Sequence, residues 1–172
     1  LDPTSGETVN EFISLPFMAT PVALSYDETH VYVSTEADGQ VYQTSADGTE
    51  ISVYTQGRNA TQRSSYADQN LWVVDDQTLS KVVDGEMQAI ATVPALIIDI
   101  VYADTIYVLV QCDACIGSRS LVYALDENEM NLSLRLSSPL QLQAMSYDPN
   151  QHALVFYSEH RFEGCEIDGA IV

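Results

Sequence analysis

QLQAMSYDPNQHALVFYSEHRFEGCEIDGAIV, residues 141–172, reads as one antiparallel sheet unit. A first strand ends at Ser146-Tyr147-Asp148-Pro149. A turn follows, then the apolar run Leu154-Val155-Phe156-Tyr157-Ser158-Glu159, then a third strand closed by Ile167-Asp168-Gly169. Apolar and aromatic runs of this length, bounded by Asp, Pro, Asn and Gly, are the signature of short antiparallel strands.

Earlier parts of the chain repeat this unit. First strands end at Ser25-Tyr26-Asp27, Ser65-Tyr66-Ala67, Val101-Tyr102-Ala103 and Ser146-Tyr147-Asp148, with the tyrosines 40, 36 and 45 residues apart. Second strands read Val31-Tyr32-Val33, Leu71-Trp72-Val73, Ile106-Tyr107-Val108 and Val155-Phe156-Tyr157, each an aliphatic residue followed by an aromatic one. Third strands run into Asp47-Gly48, Asp84-Gly85, Glu127-Asn128 and Asp168-Gly169, residues that tolerate the positive φ of tight hairpins. The long third interval holds an insertion around Cys112–Ser118, which belongs in a loop. A period near 40 residues, with three or four strands in each copy, predicts an all-β propeller of about four blades. A lone blade can bury one face only; stacked blades bury both and turn the second strands into core.

The second strands also resemble those of the low-density-lipoprotein-receptor type of propeller. There a Tyr-Trp-Thr-Asp repeat sits on the second strand, with a Leu-Asp-Gly-like turn behind it. Phe156-Tyr157-Ser158-Glu159 followed by Ile167-Asp168-Gly169 looks like a conservative variant, and Trp72-Val73-Val74-Asp75 keeps the first aromatic and the acid. Tyr32-Val33-Ser34-Thr35 and Tyr107-Val108-Leu109-Val110 keep the first aromatic. NHL-type and gluconolactonase-like propellers share this pattern. The resemblance implies a ring that is commonly six-bladed.

The expected organisation is a single propeller domain or fragment over 1–172, with repeats at 21–56, 63–93, 96–139 and 141–172. Residues 1–15 read as an outer strand, of a preceding blade or of the last one. The fourth repeat lacks its own outer strand. If Thr8–Leu15 supplies it, four blades close a ring and no sheet edge is left open; otherwise the chain is part of a larger propeller. The sequence opens without methionine inside a repeat-like phrase, which reads as a mature or trimmed product.

Charge bounds the partners. Lysine and arginine number 6 against 25 aspartates and glutamates, a formal charge of −19. That disfavours nucleic acid, whose phosphates call for a basic face, and docking on anionic membranes. The sequence has no apolar run near the ~20 residues of a membrane-crossing helix, so no membrane insertion is expected. The balance suits an extracellular or cell-surface protein, a binder of cations or basic ligands, a high-salt environment, or solubility alone.

The motifs with chemical potential are few. Cys112 and Cys115 form one CxxC, expected to be a disulfide stapling the insertion; zinc would need further ligands. Asn59-Ala60-Thr61 and Asn131-Leu132-Ser133 are N-glycosylation acceptor sequences. Asp75, Asp76 and Asp126 lie in oxygen-rich turns of the kind calcium prefers, though without the spacing of an EF-hand loop. No other cofactor is indicated. No Gly-x-Ser-x-Gly elbow or phosphate-binding glycine loop occurs, and His30, His152 and His160 lie beside strand turns. No catalytic residue is assigned. Tyr26, Tyr66, Tyr102 and Tyr147, recurring at one blade position, are expected to pack in the core or to repeat a hydroxyl hydrogen bond; the alternative is an aromatic lining of a binding face. The function expected is therefore an extracellular module that binds another protein or copies of itself. The alternatives are a calcium-dependent lactonase-like hydrolase and a structural subunit of an extracellular filament or matrix.

Overall fold

The computed structural model describes residues 20–35, 39–45, 48, 50–56, 62–67, 69–112, 114–117, 119–126, 128, 130–158 and 162–166, of which 62 and 162–166 are described by backbone alone. The described residues are all β, in four antiparallel sheets. The first sheet is β1 (Pro21–Tyr26), β2 (His30–Thr35), β3 (Gln40–Ser45) and β4 (Ile51–Gln56). The second is β5 (Gln62–Ala67), β6 (Asn70–Asp75), β7 (Thr78–Val83) and β8 (Glu86–Thr92). The third is β9 (Leu96–Tyr102), β10 (Ile106–Gln111), β11 (Ser120–Asp126) and β12 (Asn131–Ser138). The fourth holds β13 (Leu142–Asp148), β14 (Ala153–Ser158) and β15 (Phe162–Glu166). Each sheet is a simple meander in chain order.

Successive sheets meet through their first strands: β1 lies against β5, β5 against β9 and β9 against β13. Among the described residues no comparable contact joins β13 back to β1. The sheets therefore form an arc around an axis lined by first strands. This is the blade arrangement that the repeat length predicts.

The second strands are apolar without interruption because each is covered on both faces, as buried strands of layered sheets are. β10 shows it best. Ile106, Val108 and Val110 pack with Trp72, Val74, Leu79 and Ile100 between the second and third sheets. Tyr107 and Leu109 point the other way, to Val122, Met145, Leu154 and Phe156 of the third and fourth. Neighbouring residues thus enter different cores, as a period of two requires. Val108, Leu109 and Val110 are each 0% exposed, and burial of that completeness stabilises by about 1.5–3 kcal/mol per side chain. Between the first and second sheets the core is smaller: Tyr32, Val41, Leu71, Val73 and Val82. Buried hydroxyls take up the rest of that seam, with Ser34 donating to Ser64 at 2.8 Å.

The repeats agree in their irregularities. Each outer strand bulges at one matching place: Tyr54 in β4, Ile90 in β8 and Arg135 in β12 are the unpaired residues. Val22, Ile98 and Gln143 bulge in β1, β9 and β13. Such bulges deepen the local twist, and their recurrence at one blade position marks the sheets as copies of one unit. Asp99 follows the β9 bulge and is the one charge in its apolar run. Its Oδ2 accepts from Met145 N at 2.7 Å and its Oδ1 from Ile100 N at 2.9 Å. It therefore ties the third sheet to the fourth. Burial raises its pKa, against those two N–H donors and the positive charge of Arg63, which lower it.

Candidate functional site: the hairpin end of the blades

Each sheet has two ends. One carries the turns between first and second strands and between third and fourth; it is called the hairpin end below. One of its turns, between β1 and β2, is built on Asp27. Asp27 Oδ1 accepts from Thr29 N at 3.0 Å, Thr29 Oγ1 at 2.9 Å and His30 N at 2.7 Å. This is an aspartate turn, in which the side chain replaces a backbone acceptor, and it holds Glu28 at φ 74°. Asp27 Oδ2 accepts from Tyr32 Oη at 2.7 Å. Burial alone would push this carboxyl up; the Tyr32 hydroxyl and the Thr29 and His30 donors override it and hold the pKa at about 2. Burial and the same carboxylate push the Tyr32 phenol well above its ordinary value.

Tyr32 anchors an aromatic group across the first seam. Its ring stacks on Tyr66 of the second sheet at 5.7 Å and 5°, and meets Tyr54 edge-on at 5.2 Å. Gln43 Nε2 donates to its hydroxyl at 3.3 Å. Tyr66 is pushed up by burial and by the negative charges of Asp27 and Glu28. Beside this group a recess of about 520 Å³ is lined by His30, Gln43, Ser45, Glu50, Ile51 and Ser52. His30 Nδ1 lies 2.8 Å from Thr29 Oγ1 and 3.4 Å from Asp27 Oδ1.

The other hairpins vary the theme. Tyr107 Oη donates to Asp104 Oδ1 at 3.1 Å. Asp148 Oδ1 accepts from Asn150 N at 2.8 Å. Glu28, Glu50, Asp84, Asp104 and Asp148 all sit at this end, and among its described turn residues there is no lysine or arginine. Chemically the hairpin end offers carboxylates, phenols and imidazoles, and suits a ligand that brings cationic donors.

The recurring first-strand tyrosines are a partial correction to the sequence reading. Two of them do not pack in the core, Tyr26 being 56% exposed and Tyr102 37%, whereas Tyr66 packs against the core between the first and second sheets. The hydroxyl bond holds for two of them, with Tyr26 Oη donating to the Glu28 carbonyl at 2.6 Å and Tyr147 Oη paired with His152 Nδ1 at 3.1 Å. Tyr66 spends its ring on Tyr32 instead.

Asp75 and Asp76 lie at the β6–β7 turn and Asp126 at the end of β11, so they occupy opposite ends of their sheets. The structure does not bring these three together, and among the described residues no three His, Cys, Asp or Glu side chains converge as a metal set. Among the described residues these three aspartates do not form one calcium centre. Cys112 and Cys115 are bonded to each other, with Cα atoms 5.4 Å apart, in the β10–β11 loop at the opposite end from the hairpins. Asn131 is the exposed first residue of β12. Asn59, His160 and Thr8–Leu15 lie outside the described residues. Cys165 is on β15, opposite Leu154. The sequence reading missed the partnership of Asp27 with Tyr32; its signal was an aspartate at a turn, five residues before the second-strand aromatic.

Comparison with known proteins places this geometry. No family model matches the chain, and no curated protein matches it. Solved structures do. A chain of a nidogen–laminin complex superposes with a TM-score of 0.73 at 13% identity, over 86% of this chain and 61% of its own. The gluconolactonase XC5397 of Xanthomonas campestris gives 0.72 at 14%, over 88% and 60%. The fold is that of a β-propeller. The extracellular domain of a putative one-component system, BT4673, of B. thetaiotaomicron gives 0.67 at 8%, over 96% of this chain and 23% of its own. This propeller thus spans about three fifths of the first two chains and under a quarter of the third. At such identities the likeness is one of fold.

Proposed function

We propose that this propeller is an extracellular binding module that engages another protein through its hairpin end, receiving lysine and arginine side chains of the partner. One observation carries the reading: the hairpin turns present Glu28, Glu50, Asp84, Asp104 and Asp148 with no lysine or arginine among the described turn residues, on a chain of formal charge −19. Turns on a rigid β scaffold are where contacts are made, and like-signed carboxylates on one face select an oppositely charged partner and speed its approach. The occurrence of the fold in a nidogen–laminin complex supports a protein-binding role. An extracellular setting is supported by the Cys112–Cys115 disulfide and by the likeness to an extracellular domain. A lactonase-type reading rests on the likeness to XC5397 alone.

The test is surface plasmon resonance against matched basic and acidic 15-residue peptides at two salt concentrations. Basic peptides are expected to bind, more weakly at high salt. The double variant Glu28→Lys, Asp104→Lys is expected to lose at least tenfold. Equal binding of both peptide sets, or no loss in the variant, refutes the reading.

A further inference from the structure

A second concavity lies between the outer parts of the first and second sheets and reaches the β7–β8 turn at the hairpin end. It is a cleft of about 480 Å³ bounded by β4 on one side and by β7 and β8 on the other. That volume falls within the range of small-molecule sites, ~300–1,000 Å³. The turn residue Gly85, at φ 79°, closes one part of it against the first sheet: a Cβ there would come within 3.3 Å of the Tyr54 carbonyl oxygen.

Three features define what the cleft would take. First, Thr55 and Ser80 line it although they are only 4% and 5% exposed, so the cleft is where their hydroxyls can meet a ligand. Second, the charged residues of the lining are Asp75 and Glu86; no lysine, arginine or histidine lines it. An anion is disfavoured and a cation favoured. Third, the two carboxylates stand far apart. Asp75 pairs with Thr78 at one end of β7, and Glu86 pairs with Val83 at the other. Five strand intervals at ~3.3 Å separate those ends by ~17 Å. One small cation cannot touch both.

We propose that this cleft binds a linear polyamine, its terminal ammonium groups received by Asp75 and Glu86 and its inner nitrogens donating to Ser80 and Thr55. An ammonium carries donors only and accepts nothing, which matches a lining of hydroxyl and carboxylate acceptors. Methylene segments lie against Met87 and Ala89 of β8. The apolar filling of this seam is the smallest of the three, which is why the space exists.

The test is calorimetric titration of the whole chain with spermine in 150 mM salt, together with amide chemical-shift mapping. One spermine per chain is expected, with shifts centred on Thr55 and Ser80. Asp75→Asn and the exposed Glu86→Gln are each expected to weaken it at least fivefold, while Asp126→Asn on the third sheet leaves it unchanged. The proposal is overturned by equal weakening in all three variants, which is diffuse counterion attraction. It is also overturned by 1,4-diaminobutane matching spermine in affinity, since a short diamine cannot bridge the ends. Absence of saturable binding, with water alone in the cleft, overturns it as well. Peptide binding is tested through Glu28 and Asp104, neither of which lines the cleft, so that reading can fail or hold independently of these outcomes.

Discussion

Replacing Asp27 with alanine removes one acceptor from four donors at once: Thr29 N, Thr29 Oγ1, His30 N and Tyr32 Oη. Hydrogen bonds to a charged group contribute ~1.5–3 kcal/mol; three of these donors sit at an exposed turn and regain water, so a net loss of about 2 kcal/mol is expected. For a chain of this size that lowers Tm by roughly 4–8 °C. The pH dependence sharpens the test. The folded pKa, about 2, lies below the ordinary value of 3.8. A carboxyl depressed in the folded state contributes stability above its unfolded pKa and loses it as pH falls through the folded one. Discounted for solvent screening, that contribution is ~1 kcal/mol. The gap between wild type and Asp27→Ala should therefore be constant from pH 7 to 5 and narrow by about 1 kcal/mol toward pH 2. Urea unfolding followed by fluorescence reads it directly, because Trp72 is the single tryptophan and is 5% exposed. A gap under 0.5 kcal/mol at pH 7, or one that does not change with acid, would refute the assignment of Asp27 as the turn's organising acceptor.

Two further outcomes are expected. Asp99 has a folded pKa raised chiefly by burial, so its ionised form opposes folding once pH exceeds the unfolded value. Asp99→Asn, which keeps an acceptor for Met145 N, should match or exceed wild-type stability at pH 7, whereas Asp99→Ala should lose about 1–3 kcal/mol; equal losses in both would show that the charge itself holds the third and fourth sheets together. Leu109→Ala opens a cavity between those sheets and should cost about 2–5 kcal/mol by urea titration, and a loss below 1 kcal/mol would place Leu109 outside the core.

The fold was legible because two signals survive any loop. The second strands are covered on both faces, so Ile106-Tyr107-Val108-Leu109-Val110 had to be apolar throughout, and the tyrosines recur at one blade position. The candidate site was less so. Parity along a strand assigns Tyr26 and Tyr102 to a face, but not how much of each ring is covered; in the fold they are 56% and 37% exposed. Asp27 was readable as a turn residue, yet its bond to Tyr32 needs the hairpin closed in one register. The interblade cleft has no local signal at all. It arises where serines and threonines of two sheets 25 residues apart, Thr55 and Ser80, replace the apolar filling found at the other seams.

The central claim is that each sheet packs on the next around an axis and on no other. Side-chain nuclear Overhauser effects in solution test it most directly. Contacts are expected between Tyr32 and Tyr66, between Val74 and Ile100, and between Leu109 and Met145, one pair for each successive seam. Strong contacts between side chains of β6 and β14, which belong to the second and fourth sheets, would mean two layers facing each other, and the propeller would be wrong.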